Sequence, residues 1–145
     1  MEKLPHHYSV SVAGEPTGNL ATRADNLPPI SVAPPTEFDG PGDQWSPEHL
    51  LMASLASCLV LSFRAIAGAS RLQWDAISCD CTGELEQVER KIGFTRVISR
   101  VALTLPVDGD RDKALKLLHK AEQNCFISNS LNAEVVLECD IQLAG

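Results

Sequence analysis

Ser46-Pro47-Glu48-His49-Leu50-Leu51-Met52-Ala53-Ser54-Leu55-Ala56-Ser57-Cys58, running on through Leu59-Val60-Leu61-Ser62-Phe63, is the stretch on which the fold turns. An N-cap Ser, a Pro at the first helical position and an acid in the first turn agree on a helix start, and Gly68 marks its expected stop. Between these two signals, within 46–68, the helix is about 21 residues, roughly 32 Å at about 1.5 Å per residue. It is apolar or small on nearly every face as far as Phe63, so it must be buried all round. Ala53, Ser54, Ala56, Ser57, Ala65 and Ala67 let another backbone come close, and Leu51, Leu55, Cys58, Ser62 and Ala65 share one stripe. A chain of 145 residues has little surface to cover such a helix. A second copy of the chain is the natural source.

Outward from the helix the periodicity is that of strands. Upstream, Tyr8, Val10 and Val12 alternate with small or polar residues, Gly14-Glu15-Pro16-Thr17-Gly18 supplies a turn, and short runs follow at 19–23 and 30–32. These place N-terminal strands within 6–33. Pro34, Pro35, Gly40, Pro41 and Gly42 make 34–45 a surface loop. Downstream, Ile77, Cys79, Cys81 and Leu85 alternate with polar residues, and Val97, Val101, Leu103 and Leu105 return after Lys91-Ile92-Gly93, so 72–105 reads as a long antiparallel hairpin. Asp108 is placed to cap a second helix, 109–123, with an apolar stripe of Ala114, Leu117, Leu118 and Ala121. A last strand alternates over 133–143. The expectation is a single α+β domain over 1–145, with antiparallel sheets around a long buried central helix.

Composition narrows the function. With 44% hydrophobic and 21% charged residues the chain is an ordinary globular one. Its net charge of −7, with no Lys/Arg block and only seven aromatics, argues against nucleic acid or an anionic lipid surface as partner. The uncharged run 50–63 has the length of a core helix and not of a membrane span, so no transmembrane segment is expected. Met1-Glu2-Lys3-Leu4-Pro5-His6-His7 shows no basic stretch followed by an apolar one, so the expectation is a cytoplasmic protein.

Five cysteines, at 58, 79, 81, 125 and 139, are then thiols at rest. Cys79, Cys81 and Cys139 continue apolar strand faces and read as core filler. No metal is expected, because neither His6-His7 nor Cys139 supplies a second ligand pair, and Asp108-Gly109-Asp110-Arg111-Asp112 lacks the Gly and Glu of a calcium loop. Cys125 follows a helix and precedes the polar turn Ser128-Asn129-Ser130, where a sulfur can be reached. Cys58 by spacing alone reads as packing.

Taken together, the run from Ser46 to Cys58 and the later Ala121-Glu122-Gln123-Asn124-Cys125-Phe126-Ile127-Ser128-Asn129-Ser130-Leu131 resemble the OsmC/Ohr family, osmotically inducible protein C and organic hydroperoxide resistance protein. The resemblance implies an intertwined homodimer and a thiol peroxidase that reduces organic hydroperoxides to alcohols. It implies that Cys58 attacks, Cys125 resolves through a disulfide, Glu48 is the site carboxylate, and an arginine, here assigned to Arg23, completes the site. A lipoyl-type dithiol is the implied reductant, and no cofactor is called for. Phe126 stands where the family often has Pro, and Glu37 where some relatives carry the arginine.

Physical chemistry adds two constraints. An apolar site pushes a thiol upward from its ordinary value near ~8.5, so a reactive Cys58 asks for a fixed cation, and Arg64, six residues on, lies on roughly the opposite side of the helix. Glu48 is ten residues from Cys58, roughly 15 Å along one helix. If both serve one site, the carboxylate comes from an antiparallel copy. Leu51, Leu55 and Phe126 are expected to line an alkyl-preferring pocket. The alternative is a non-enzymatic dimeric binding or redox-sensing protein of the same fold; a Cys hydrolase using His49 or His119 lacks an oxyanion loop.

Overall fold

In the computed structural model, which describes residues 2–145, the elements run β1 (Ser11–Ala13), β2 (Leu20–Arg23), β3 (Ile30–Val32), α1 (Pro47–Ala69), β4 (Ala76–Val88), β5 (Lys91–Leu105), α2 (Arg111–Gln123) and β6 (Glu134–Leu143). They fall into an N-terminal unit ending at Leu50 and a C-terminal unit, Leu51–Gly145.

In the N-terminal unit β1, β2 and β3 form an antiparallel sheet in chain order. The Pro/Gly-rich loop after it folds back on itself: Val32 bridges Trp45, and the Ala33 N–H donates to the Trp45 carbonyl at 2.9 Å. Inside this loop Gly40 lies so close to the Pro34 carbonyl that any Cβ would overlap it, which is why glycine stands there. The helix start matches the sequence reading. Ser46 is fully buried and its Oγ accepts the His49 N–H at 3.1 Å, an N-cap bond made three residues ahead.

The C-terminal unit is a sheet of order β4-β5-β6 with α1 and α2 packed on it. The hairpin β4-β5 is antiparallel from Ala76↔Thr104 to Val88↔Lys91, so its turn is Glu89-Arg90 and not Lys91-Ile92-Gly93, with Glu89 taking the left-handed φ of 60°. A bulge at Glu84/Leu85 shifts the register near the tip. The last strand departs from the all-antiparallel expectation: β6 runs parallel to β5, from Arg96↔Glu134 to Leu105↔Leu143. A helix between two neighbouring strands carries the chain back to the starting end, so the second strand enters in the same direction as the first.

Asp110, not Asp108, caps α2, accepting the Lys113 N–H at 3.0 Å. Removing that acceptor as Asp110→Ala is expected to cost about 1 kcal/mol in a denaturant melt with an unchanged slope. The α2 stripe of Ala114, Leu117, Leu118 and Ala121 is buried as expected and packs with Val101, Leu103 and Leu105 of β5.

The central helix differs most from the sequence reading. It ends at Ala69, with Arg71 at φ 56° making the left-handed exit that Gly68 was expected to mark. Within this chain it buries one row only, Leu55, Leu59, Phe63 and Ala67, spaced four apart. The other faces are half-buried or open, and Leu61 is 57% exposed. By length and composition α1 is apolar enough to cross a membrane. Leu59, Phe63 and Ala67 of its buried row join the core of the sheet, as the core helix of a globular fold does.

Candidate active site

Cys58 sits halfway along α1, on the row next to the buried one, so its side chain is half-buried. It borders a cavity of about 610 Å³ lined by Ser54, Ser57, Leu61, Ser62, Ile66, Asn124 and Phe126, among others. The expected walls are corrected here. Leu55 is 2% exposed and belongs to the buried row, with Leu51 one turn before it on the same side of α1, and neither lines the cavity, which opens beside the neighbouring row of Ser54, Cys58, Ser62 and Ile66. Leu61 and Ile66 take their place, and Phe126 holds its expected one.

The segment after α2 brings the second sulfur. Cys125 follows the helix directly, its N–H bonded to the Glu122 carbonyl at 3.2 Å, and the short 3-10 turn Ser128–Ser130 folds over it. Ser128 Oγ donates to the Cys125 carbonyl at 3.2 Å. Cys125 is therefore 2% exposed, where the irregular local sequence suggested an accessible thiol. The two cysteines exchange the places that periodicity gave them, the packed one being open and the open one packed. Cys58 and Cys125, 67 positions apart, are brought close enough for each thiol to shift the other.

Their electrostatics are opposite. Burial pushes the Cys58 thiol up, but hydrogen bonds from the Ile127 N–H, the Cys125 thiol, the Ser62 hydroxyl and the Phe126 N–H together bring it below the ordinary thiol value. Ser62 Oγ lies 3.9 Å from Cys58 Sγ, one helical turn on. Cys125 is raised, by burial first and then by its role as donor to Cys58. Cys79 is raised to about 11, chiefly by burial. Sequence reading asked for a cation at Cys58; the donors found are uncharged, and two of them are backbone amides that no side-chain pattern announces. A thiolate is the alkylating species and its fraction rises with pH through the pKa. Iodoacetamide is therefore expected to modify Cys58 at a lower pH than any other cysteine and Cys79 last, as read by peptide mass mapping.

The N-terminal unit holds the other two residues assigned to the site. Glu48, in the first turn of α1, borders a small cavity of about 290 Å³ lined by Leu20, Val32, Pro34, Phe38 and Pro47. Its Oε1 is shielded from solvent and has no hydrogen-bond partner among the described residues. A carboxylate oxygen in such surroundings favours a donor or a cation beside it. Arg23 ends β2 with an exposed side chain. Among the described residues the ion pairs are Arg96–Glu84 and Arg100–Glu138, neither of which involves Arg23.

Comparison with known proteins decides the family. A model described as "OsmC-like protein" matches residues 40–140, more than half of the chain. The chain belongs to the OsmC-like family. A relative in sequence is the uncharacterized Bacillus subtilis (strain 168) protein YmaD, 29% identical over 134 residues, which cover 89% of this chain and 84% of that protein. An OsmC-like protein of unknown function from Vibrio cholerae superposes with a TM-score of 0.87 at 22% identity, over 94% of this chain and all of that one. An organic hydroperoxide resistance protein OsmC from Legionella pneumophila does so with 0.74 at 23% identity, over 99% of this chain and all of that one. One from Elizabethkingia anophelis, carrying thiocyanate, gives 0.78 at 18%, again over 99% and all. At these identities the structures establish a shared fold, the OsmC-like α+β architecture.

Proposed function

We propose that this OsmC-like chain is a thiol-dependent peroxidase that reduces organic hydroperoxides to alcohols. The observation that carries the reading is the pairing of a half-buried Cys58, which borders an apolar cavity, with a buried Cys125 set between two residues of that cavity's lining, Asn124 and Phe126, the first thiol lowered and the second raised. Its fold-mates described as organic hydroperoxide resistance proteins agree with it.

The Cys58 thiolate attacks the terminal peroxide oxygen. The S–O bond forms as the O–O bond breaks, and the departing alkoxide takes a proton to leave as the alcohol, with Cys58 as a sulfenic acid. The Cys125 thiol then attacks the sulfenic sulfur and water leaves, giving a Cys58–Cys125 disulfide. An external dithiol, lipoyl-type by family resemblance, restores both thiols by exchange and is itself oxidised to its disulfide. Because the neighbouring amides, the Ser62 hydroxyl and the Cys125 thiol lower the attacking thiol, its negative charge is favoured before any peroxide binds.

Glu48 and Arg23 are the carboxylate and cation of the same site in this reading. Ten residues of one straight helix keep Glu48 from Cys58, so the carboxylate comes from an antiparallel second α1 in a homodimer. The open apolar faces of α1 support that arrangement, since a helix this apolar is stable in water only when covered. A cytoplasmic setting keeps the thiols reduced between turnovers.

One equivalent of an alkyl hydroperoxide, followed by disulfide mapping, tests the mechanism. A Cys58–Cys125 link that disappears in Cys58→Ser is expected; free thiols persisting at both positions would favour the binding-protein reading. Sedimentation equilibrium is expected to give twice the chain mass of 15.7 kDa. A strictly monomeric particle would remove Glu48 from the mechanism.

A further inference from the structure

The turn that seals Cys125 contains a buried hydroxyl with no part in the attack on peroxide. Ser128, the first residue of the 3-10 turn, is 8% exposed and Cys125 is 2% exposed, so water is shut out and the donors to that sulfur come from the protein. The Ser128 hydroxyl carries one proton, and two carbonyls compete for it, that of Cys125 at 3.2 Å and that of Glu122 at 3.5 Å. The Cys125 carbonyl has a second donor, the Asn129 N–H at 3.0 Å, so it stays satisfied when the hydroxyl turns away. Both the N–H and the hydroxyl of Ser128 pull the Cys125 thiol down, against burial and against Cys58, which push it up.

We propose that Ser128 readies Cys125 for the resolving step: once Cys58 is a sulfenic acid, the Ser128 hydroxyl turns from the Cys125 carbonyl to the Cys125 sulfur and holds it as the attacking thiolate. This rests on the peroxidase reading above. The order of events follows from what opposes ionisation. Before oxidation Cys58 competes with Cys125 for negative charge, and Cys125 stays a thiol. The sulfenic acid is neutral, so oxidation removes what Cys58 contributes to keeping Cys125 protonated and leaves burial opposed by the Ser128 donors. A hydroxyl given to a thiolate in dry surroundings makes a charge-assisted bond, stronger than the one it leaves at a carbonyl with another donor. The thiolate then attacks the Cys58 sulfur. The S–S bond forms as the S–O bond breaks, and the departing hydroxide takes up the proton that Cys125 released and leaves as water.

Single turnover of the full chain with one equivalent of cumene hydroperoxide and no reductant, followed by quenched-flow mass spectrometry across pH, tests the assignment. In Ser128→Ala the burst of alcohol is expected to be unchanged, while formation of the Cys58–Cys125 disulfide at neutral pH slows by about tenfold and dimedone traps correspondingly more sulfenic acid. The pH profile of disulfide formation is expected to move upward, so that the variant approaches the native rate at alkaline pH. Asp110→Ala, which weakens the far end of α2, is expected to leave that rate and its profile unchanged. An unchanged disulfide rate in Ser128→Ala, or an equal loss at every pH, would overturn the assignment, the second making Ser128 a support of the turn and nothing more. NMR titration of isotope-labelled cysteine in Cys58→Ser, which needs no peroxide, separates the two readings. Cys125 is expected to ionise at a lower pH there than in the native chain, and at a higher pH again in Cys58→Ser/Ser128→Ala. If no hydroperoxide is turned over yet that difference between the variants is seen, the peroxidase reading fails and the action of Ser128 on Cys125 stands; if the two variants titrate together, Ser128 has no such action.

Discussion

Cys58→Ser is expected to lower hydroperoxide turnover by about a thousandfold or more, because an alcohol at this position is neither ionised nor an acceptor of peroxide oxygen. Cys125→Ser is expected to behave differently, and the contrast is the informative part. Its Cys58 still reacts once, so a stoichiometric burst of alcohol appears, and the sulfenic acid accumulates and is trapped by dimedone. Steady turnover with a dithiol then slows. The raised Cys125 thiol suits this order of events, since it stays protonated and donates to Cys58 until the sulfenic acid forms. If Cys125→Ser turned over as fast as the native chain, the intramolecular disulfide would be dispensable and another thiol would be the resolving group. Cys79 and Cys139 are unsuited to it: they flank Val101 on the core face of the sheet, both raised by burial.

The largest effect on stability is expected from Phe63→Ala. Phe63 is fully buried, belongs to the row of α1 that packs on β5 and α2, and meets Trp74 edge to face with ring centroids 5.5 Å apart. Truncation removes the transfer gain of the ring and leaves a cavity between two helices and a sheet that cannot all close in, at a cost of about 3–5 kcal/mol. For a chain of this size that lowers Tm by about 10–20 °C in a thermal melt. A shift of only a few degrees would mean that α1 is held chiefly by contacts outside this core. Ser62→Ala, by contrast, removes only one of the donors at Cys58 and is expected to raise the pH midpoint of Cys58 alkylation while leaving the melt nearly unchanged.

Local chemistry made much of this legible in the sequence. Ser46, Pro47 and Glu48 start α1 by side-chain capping and backbone geometry, both of which act within one turn. The period-two runs through Cys79 and Cys139 and the four-residue stripe of α2 report which side of each element is wet. Two motifs far apart in the chain were enough to indicate the family. Turn positions were less legible: Glu89 and Arg71 adopt the left-handed backbone that glycine was expected to provide, and at Glu89 it is the strand pairing, closed at Val88↔Lys91, that sets where the turn falls.

Exposure and reactivity were decided elsewhere. Spacing along α1 cannot tell whether Cys58 faces the core or the cavity, since the two rows differ by a fraction of a turn and only the sheet beneath selects one of them. Nor can it show that Cys125, at a helix end, is sealed by the turn behind it. The donors that lower Cys58 include the amides of residues 126 and 127, which every sequence possesses and only a folded chain can aim. The sequence alone determined the elements and the pair of sulfurs, because these depend on neighbours in the chain; which sulfur is open, and what holds its charge, depends on neighbours in space.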